Sequence, residues 1–180
     1  MGIISLISGV LMGCMSSKNP QNKSIIEGKT SIHQFDFTDI YGKSRSFSEF
    51  KGKKILIVNT ASKCGFSPQL EDLEKLHNQY QDKLAIIAFP SNNFGNQEPL
   101  NNSEIENFCK KNYGVSFTIA AKSNVKGKEI SAVMEWLISS SNKGNILWNF
   151  EKFLLNEDGN LIKRFRSYIN PLSKKITASI

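Results

Sequence analysis

Cysteine is scarce in this chain. Three Cys in 180 residues are too few for a disulfide scaffold, and no two stand at the close spacing of a zinc site. Each has to be explained singly. The two histidines, His33 and His77, lack metal-ligand company, so neither a metal nor another cofactor is expected. Lys and Arg never run longer than two in a row. The basic residues are scattered, which argues against a nucleic-acid partner. No internal repeat or low-complexity segment interrupts the sequence. What is present is an ordinary globular composition, 39% hydrophobic and 22% charged with twelve Phe, enough for one domain with a buried core. The net charge of +7 favours approach to anionic surfaces such as phospholipid headgroups or an acidic partner protein.

Residues 1–13, MGIISLISGVLMG, are apolar and uncharged, and Cys14 opens a polar stretch. The run falls short of the about 20 apolar residues of a spanning helix and suits a secretory leader. Leu11-Met12-Gly13-Cys14 resembles the cleavage box of bacterial lipoproteins, in which the Cys becomes the lipidated first residue. The expectation is an exported chain, anchored through Cys14 at a bacterial membrane. A start assigned too early would leave the protein cytoplasmic. Residues 15–30 read as a flexible tether, so residues 1–30 form leader and tether, and 31–180 the domain.

From His33 the pattern becomes regular. Phe35–Asp39 and Arg45–Phe50 flank Tyr41-Gly42-Lys43 as a short hairpin. Lys54–Asn59 and Leu84–Phe89 are β-branched apolar runs such as doubly covered strands show. Between them, Pro68 suits a first helical turn, and Leu70, Leu73, Leu76 and Tyr80 recur at helical spacing. Strand, helix and strand make a right-handed βαβ unit with parallel strands. Ser103 with Glu106 fits a capping box for a helix through Lys111 that carries Cys109. A strand at Thr118–Lys122, a helix at Glu129–Ser140, a hairpin pairing Lys152–Leu155 with Leu161–Phe165, and a short helix after Pro171 complete the chain. The fold class is α/β: a thioredoxin-like sandwich, a central mixed sheet flanked by helices, with an N-terminal hairpin.

Cys64 falls where the first strong strand ends and the next helix is about to begin, in NTASKCGFSP. Helix-terminal N–H groups and the neighbouring Lys63 favour an anion there. Ser67 occupies the position three beyond, so a CxxC disulfide cannot form, and Cys109 is the candidate partner within the domain. Alone, such a Cys is equally well a small buried hydrophobe.

Three stretches carry a family resemblance. VNTASKCGFSPQL, FPSNNFGNQEP and WNFEKFLLNEDG resemble, in that order, the signatures of glutathione peroxidases, and the similarity runs from about Phe35 to Pro171. The resemblance implies a thioredoxin-like fold and a catalytic tetrad at Cys64, Gln97, Trp148 and Asn149, with plain Cys where some members carry selenocysteine. These residue types suit the chemistry. A thiolate attacking a peroxide oxygen expels an alkoxide or hydroxide, and the two amides and the indole N–H supply donors for that developing charge. Leu70, Ser91, Asn93 and Thr118 depart from the usual pattern, none at a tetrad position.

Cys109, in NFCKKNYGVSF, matches the resolving cysteine of the thioredoxin-using branch. The short passage from MEWLISSSNKGN to ILWNF lacks the tetramer-forming loop of the larger members. The resemblance thus implies a monomer that reduces hydrogen peroxide and organic or lipid hydroperoxides, forms a sulfenic acid at Cys64, resolves it with Cys109, and is reduced by thioredoxin in preference to glutathione. The competing reading is a redox sensor or thiol-disulfide oxidoreductase that uses the same Cys pair on a partner protein.

Overall fold

The structure, a computed structural model, describes residues 20–180. Cys14 and the proposed leader lie outside the described residues.

The hairpin of β1 (Asp36–Thr38) and β2 (Ser44–Ser46) stands before a five-stranded sheet. That sheet is built from β3 (Lys54–Thr60), β4 (Leu84–Pro90), β5 (Thr118–Ile119), β6 (Lys152–Leu155) and β7 (Leu161–Phe165), in the order β5-β4-β3-β6-β7. β3 and β4 are parallel, as are β4 and β5, whereas β6 runs antiparallel to β3 and β7 antiparallel to β6. The sheet is mixed, with both faces covered. Alternation decides what each face meets. Ile55, Ile57, Ile87, Phe89, Phe153 and Leu155 pack under α4 (Ala132–Ser141) and the hairpin phenylalanines Phe37 and Phe47. Leu56, Val58, Ile86, Ala88 and Leu154 pack under α2 (Gln69–Tyr80) and α3 (Asn102–Tyr113), and the same layer holds Cys64, Cys109 and Phe150. Helices on both faces and the βαβ crossover are the thioredoxin-like arrangement read from the sequence.

Several boundaries differ from expectation. The helix bearing Cys109 is capped by Asn101, whose side chain accepts from Glu104 N while Glu104 accepts from Asn101 N. Ser103 is inside it. Two overlapping stretches fit the capping template, and the earlier one adds two residues, Asn102 and Ser103, with the Asn102 amide oxygen accepting from Lys122 N. At its other end the helix continues past Lys111 to Tyr113, where Gly114 takes the left-handed conformation at φ +66°. The strand expected over Thr118–Lys122 has only two residues, because beyond Ile119 the chain bridges to the hairpin at Asp39↔Ala120. The helix expected from Glu129 starts at Ala132 after its Ser131 cap.

The tether is also corrected for residues 20–30. α1 (Lys23–Ile26) buries Ile26, and the Asn22 amide donates to Glu135 Oε2 at 2.7 Å and to Ile130 O at 2.8 Å. The Trp136 indole donates to Lys29 O. Buried polar contacts and an apolar anchor hold this segment against α4, which composition alone did not foretell.

Candidate active site

β3 leads directly into the candidate site. After Thr60 the chain turns through 61–68 before α2 begins, and Cys64 is buried in that turn at 4% exposure. Its sulfur faces the Phe66 N–H at 3.5 Å, and its carbonyl accepts from Ser67 N. The neighbouring N–H is thus a turn amide, three residues short of the helix itself, and Lys63 is exposed.

Gln97 arrives from the loop after β4. The Lys63 N–H donates to Gln97 O at 2.9 Å, which ties that loop to the residue preceding Cys64. The same loop is tied a second time. Glu98, 2% exposed, accepts from Ser62 N at 2.8 Å and from Ser62 Oγ at 2.7 Å. Burial holds its carboxyl above the usual range even against those hydrogen bonds.

Trp148 and Asn149 come from the turn before β6. The Asn149 Nδ2 donates to Gln97 Oε1 at 2.9 Å, with Asn149 fully buried and its own Oδ1 without a hydrogen-bond partner. The Trp148 ring lies 5.7 Å from the Phe94 ring and remains 39% exposed. Gly95 takes the left-handed conformation at φ +60°, which favours glycine, and a Cβ there would lie at ordinary contact range of the Gln97 side chain and the Trp148 ring. The structure thus ties Gln97 to Asn149, stacks Trp148 beside their loop, and places Cys64 one residue from the Lys63–Gln97 bond.

Three features of the site were not read from the sequence. Asn59 on β3 clamps the turn: its Nδ2 donates to Trp148 O, its O accepts from Phe150 N, and its Oδ1 accepts from Glu151 N. Phe150 needs such a clamp, since its φ of +66° is left-handed, which for a non-glycine residue costs about 1–3 kcal/mol. The buried Glu151 carboxylate pairs with Arg164 at 2.8 Å and Arg166 at 3.0 Å and accepts from Leu147 N. Lys152 is buried with its Nζ on Phe150 O and Ser167 O. The signal available was a strand, FEKFLL, with adjacent opposite charges inside an otherwise apolar run; both charges turn inward because β6 is covered on both faces.

Cys109 sits on α3 at 5% exposure, and no disulfide joins it to Cys64. Burial, with the Glu98 charge second, pushes its thiol up to about 12. On its exposed side, Tyr41 Oη donates to Glu106 and accepts from Lys110 Nζ, and the Ser67 and Tyr113 hydroxyls meet at 3.2 Å. Among the described residues no helix is long and apolar enough to cross a membrane.

Comparison with known proteins agrees with this architecture. The family model described as glutathione peroxidase matches residues 32–138. A glutathione peroxidase-like peroxiredoxin of Schizosaccharomyces pombe is 47% identical over 145 residues, 77% of this chain and 92% of that protein. A glutathione peroxidase of Lactococcus lactis is 44% identical over 145 residues, 78% and 92% of the two chains. Among solved structures, the T. cruzi GPX1 crystal structure superposes with a TM-score of 0.65 at 26% identity, covering 83% of this chain and 93% of that one. A secreted disulfide oxidoreductase of Mycobacterium tuberculosis shares the fold alone, at TM-score 0.56 and 12% identity, over 81% and 92% of the two chains.

Proposed function

The chain belongs to the glutathione peroxidase family, and from that premise we propose that it is a thiol peroxidase whose Cys64 thiolate reduces hydroperoxides, with Cys109 as resolving thiol and thioredoxin as reductant. The sulfur attacks the terminal peroxide oxygen, the O–O bond breaks, and the leaving alkoxide takes a proton to become alcohol or water. Cys64 is left as a sulfenic acid. The Cys109 thiol then attacks that sulfur, releasing water and forming a disulfide, which thioredoxin reduces by exchange.

The observation that carries the reading is the bonded amide pair Gln97–Asn149 on a loop tied through Gln97 O to Lys63, the residue before Cys64. Asn149 donates to the Gln97 oxygen, a bond that does not use the Gln97 NH₂, and the reading assigns that NH₂ and the Trp148 indole N–H as donors to the leaving oxygen. In this reading, such donors facing the buried sulfur would stabilise charge developing on the leaving oxygen without reorganising. Cys109, in the same buried layer, supplies the second thiol that a glutathione-only enzyme would not need.

The test is peroxide reduction measured side by side with thioredoxin and with glutathione, for wild type and Cys64→Ser. Thioredoxin-driven turnover that falls below about one per cent in the variant is the expected result, a loss of at least ~2.7 kcal/mol of transition-state stabilisation. Glutathione-driven turnover alone would remove Cys109 and thioredoxin from the scheme. The protein is further proposed to act as a monomer and to carry a lipid at Cys14, with a membrane surface as neighbour. Sedimentation and the mass of the N-terminal peptide from native material test these, and an intact Met1 or Gly2 terminus in cytosol refutes the anchor.

A further inference from the structure

Lys152 is among the largest fully buried side chains of the protein, and its ammonium ion-pairs with no carboxylate among the described residues. Its position follows from register. Lys152 pairs with Val58 and lies two residues before Leu154 on β6, so it faces the layer that holds Val58, Leu154, Phe150 and Cys64. An unpaired cation in such a layer costs several kcal/mol of desolvation, and a methionine of similar length would fill the space without that cost. The two hydrogen bonds it does make lead in different directions. One, at 2.8 Å, is to the carbonyl of Phe150, the left-handed residue that follows Asn149. The other, at 3.3 Å, is to the carbonyl of Ser167, which also accepts at 2.8 Å from the side chain of Gln69, the first residue of α2. Through one nitrogen, the turn that presents Asn149 is joined to the helix that follows Cys64.

We propose that Lys152 is a positioning residue for peroxide reduction: a buried strut that sets the Asn149 amide against the Cys64 sulfur by holding Phe150 O at one end and Ser167 with Gln69 at the other. The inference rests on the peroxidase reading. Burial also pushes the Lys152 ammonium down to about 7, which fits a group kept at a cost to the fold.

The test is Lys152→Met, alone and in an Asn149→Ala background, with three readouts: thermal midpoint, peroxide consumption, and the second-order rate at which Cys64 loses its alkylatable thiol to hydrogen peroxide. A strut predicts a midpoint at or above that of wild type, with Cys64 oxidation slowed about 10- to 100-fold, the scale of misplacing a reacting group by about 1 Å. In the Asn149→Ala background the same substitution should cost no further rate, because both changes remove one function. A Lys152→Met rate within about twofold of wild type, or a full additional loss in the Asn149→Ala background, overturns the proposal. Should the Met variant not fold, Lys152→Gln decides alone: its shorter amide cannot span both carbonyls, and an unaltered oxidation rate would be equally fatal. Wild-type protein that consumes no peroxide would instead sink the peroxidase reading, and is read first.

Discussion

The Asn149 side chain donates to Oε1 of Gln97 at 2.9 Å, across the join between the loop after β4 and the turn before β6. Each amide thereby orients the other. Gln97 is held also by its backbone to Lys63, while Asn149 is fully buried.

Replacing Asn149 with Ala should therefore disturb two donors at once. Cys64 oxidation by peroxide is expected to slow by about 10²- to 10³-fold, comparable to removal of one oxyanion donor elsewhere. Gln97→Ala should cost a similar factor, and the double variant little more. Stopped-flow measurement of the three rates checks this, and strict additivity would separate the two amides.

Cys109 should be inert in the resting protein. With its thiol pushed up to about 12, it is protonated throughout the neutral range and shielded by the core. Iodoacetamide at pH 8, followed by peptide mass analysis, is expected to modify Cys64 and leave Cys109 intact until the fold opens. The two cysteines are about equally buried, at 4% and 5% exposure, so labelling of both at equal rates would contradict the raised Cys109 thiol. Cys109→Ser should retain one stoichiometric peroxide reduction and lose thioredoxin-driven turnover.

Disulfide formation is expected to unwind α3. Cys109 is on the buried side of this helix and Cys64 in a turn before another, and bridging them demands Cα atoms within about 7 Å, an approach expected to come from α3. A helix of this length owes its stability mostly to packing, and its outer side is polar. Hydrogen exchange after peroxide treatment should accelerate around residues 103–112 and leave β3 and β4 protected. Unchanged protection there, with a Cys64–Cys109 bond confirmed by mass, would dismiss the movement.

Lys152 also predicts a pH dependence of stability. Its ammonium is pushed from 10.5 in the open chain down to about 7 by burial. Between those values the unfolded chain binds more protons, so stability rises with pH across that window. Below about pH 7 both states carry the proton, and the full cost of burying it is present. The midpoint gained by Lys152→Met should accordingly be largest at and below pH 7 and shrink towards pH 10. Thermal scans across that range give the answer, and a gain independent of pH would assign it to packing instead.

Much of this was legible in the chain before any coordinates. β3, α2, β4 and the β6–β7 hairpin follow their hydrophobic periods to within a residue or two, because each buries a full face. The four proposed tetrad positions rest on the family resemblance that local motifs carry. Less legible was what long-range contact decides. Asn101 caps the helix in place of Ser103, and the neighbouring Asn102 accepts from Lys122 N across the fold, a contact no local pattern shows. Asn59 reads as the polar end of a strand until the turn at 148–151 is set beside it. Residues 20–30 look like linker, since the partners that bury Asn22 and Ile26 lie more than a hundred positions away, on and before α4.

The bridge from Asp39 to Ala120 has a bearing on what the protein avoids. Ile40 N donates to Ile119 O and Ala121 N to Thr38 O, so the backbone groups that β5 turns away from β4 are taken up by the hairpin. An open strand edge is a template on which a foreign strand can add. Here one border of the sheet is already spliced shut, and the opposite one, β7, carries Lys163 on its solvent side, tied to Ser179 near the chain terminus. If α3 loosens on oxidation as expected, these closed borders would keep the sheet from recruiting a second copy while the helix is away.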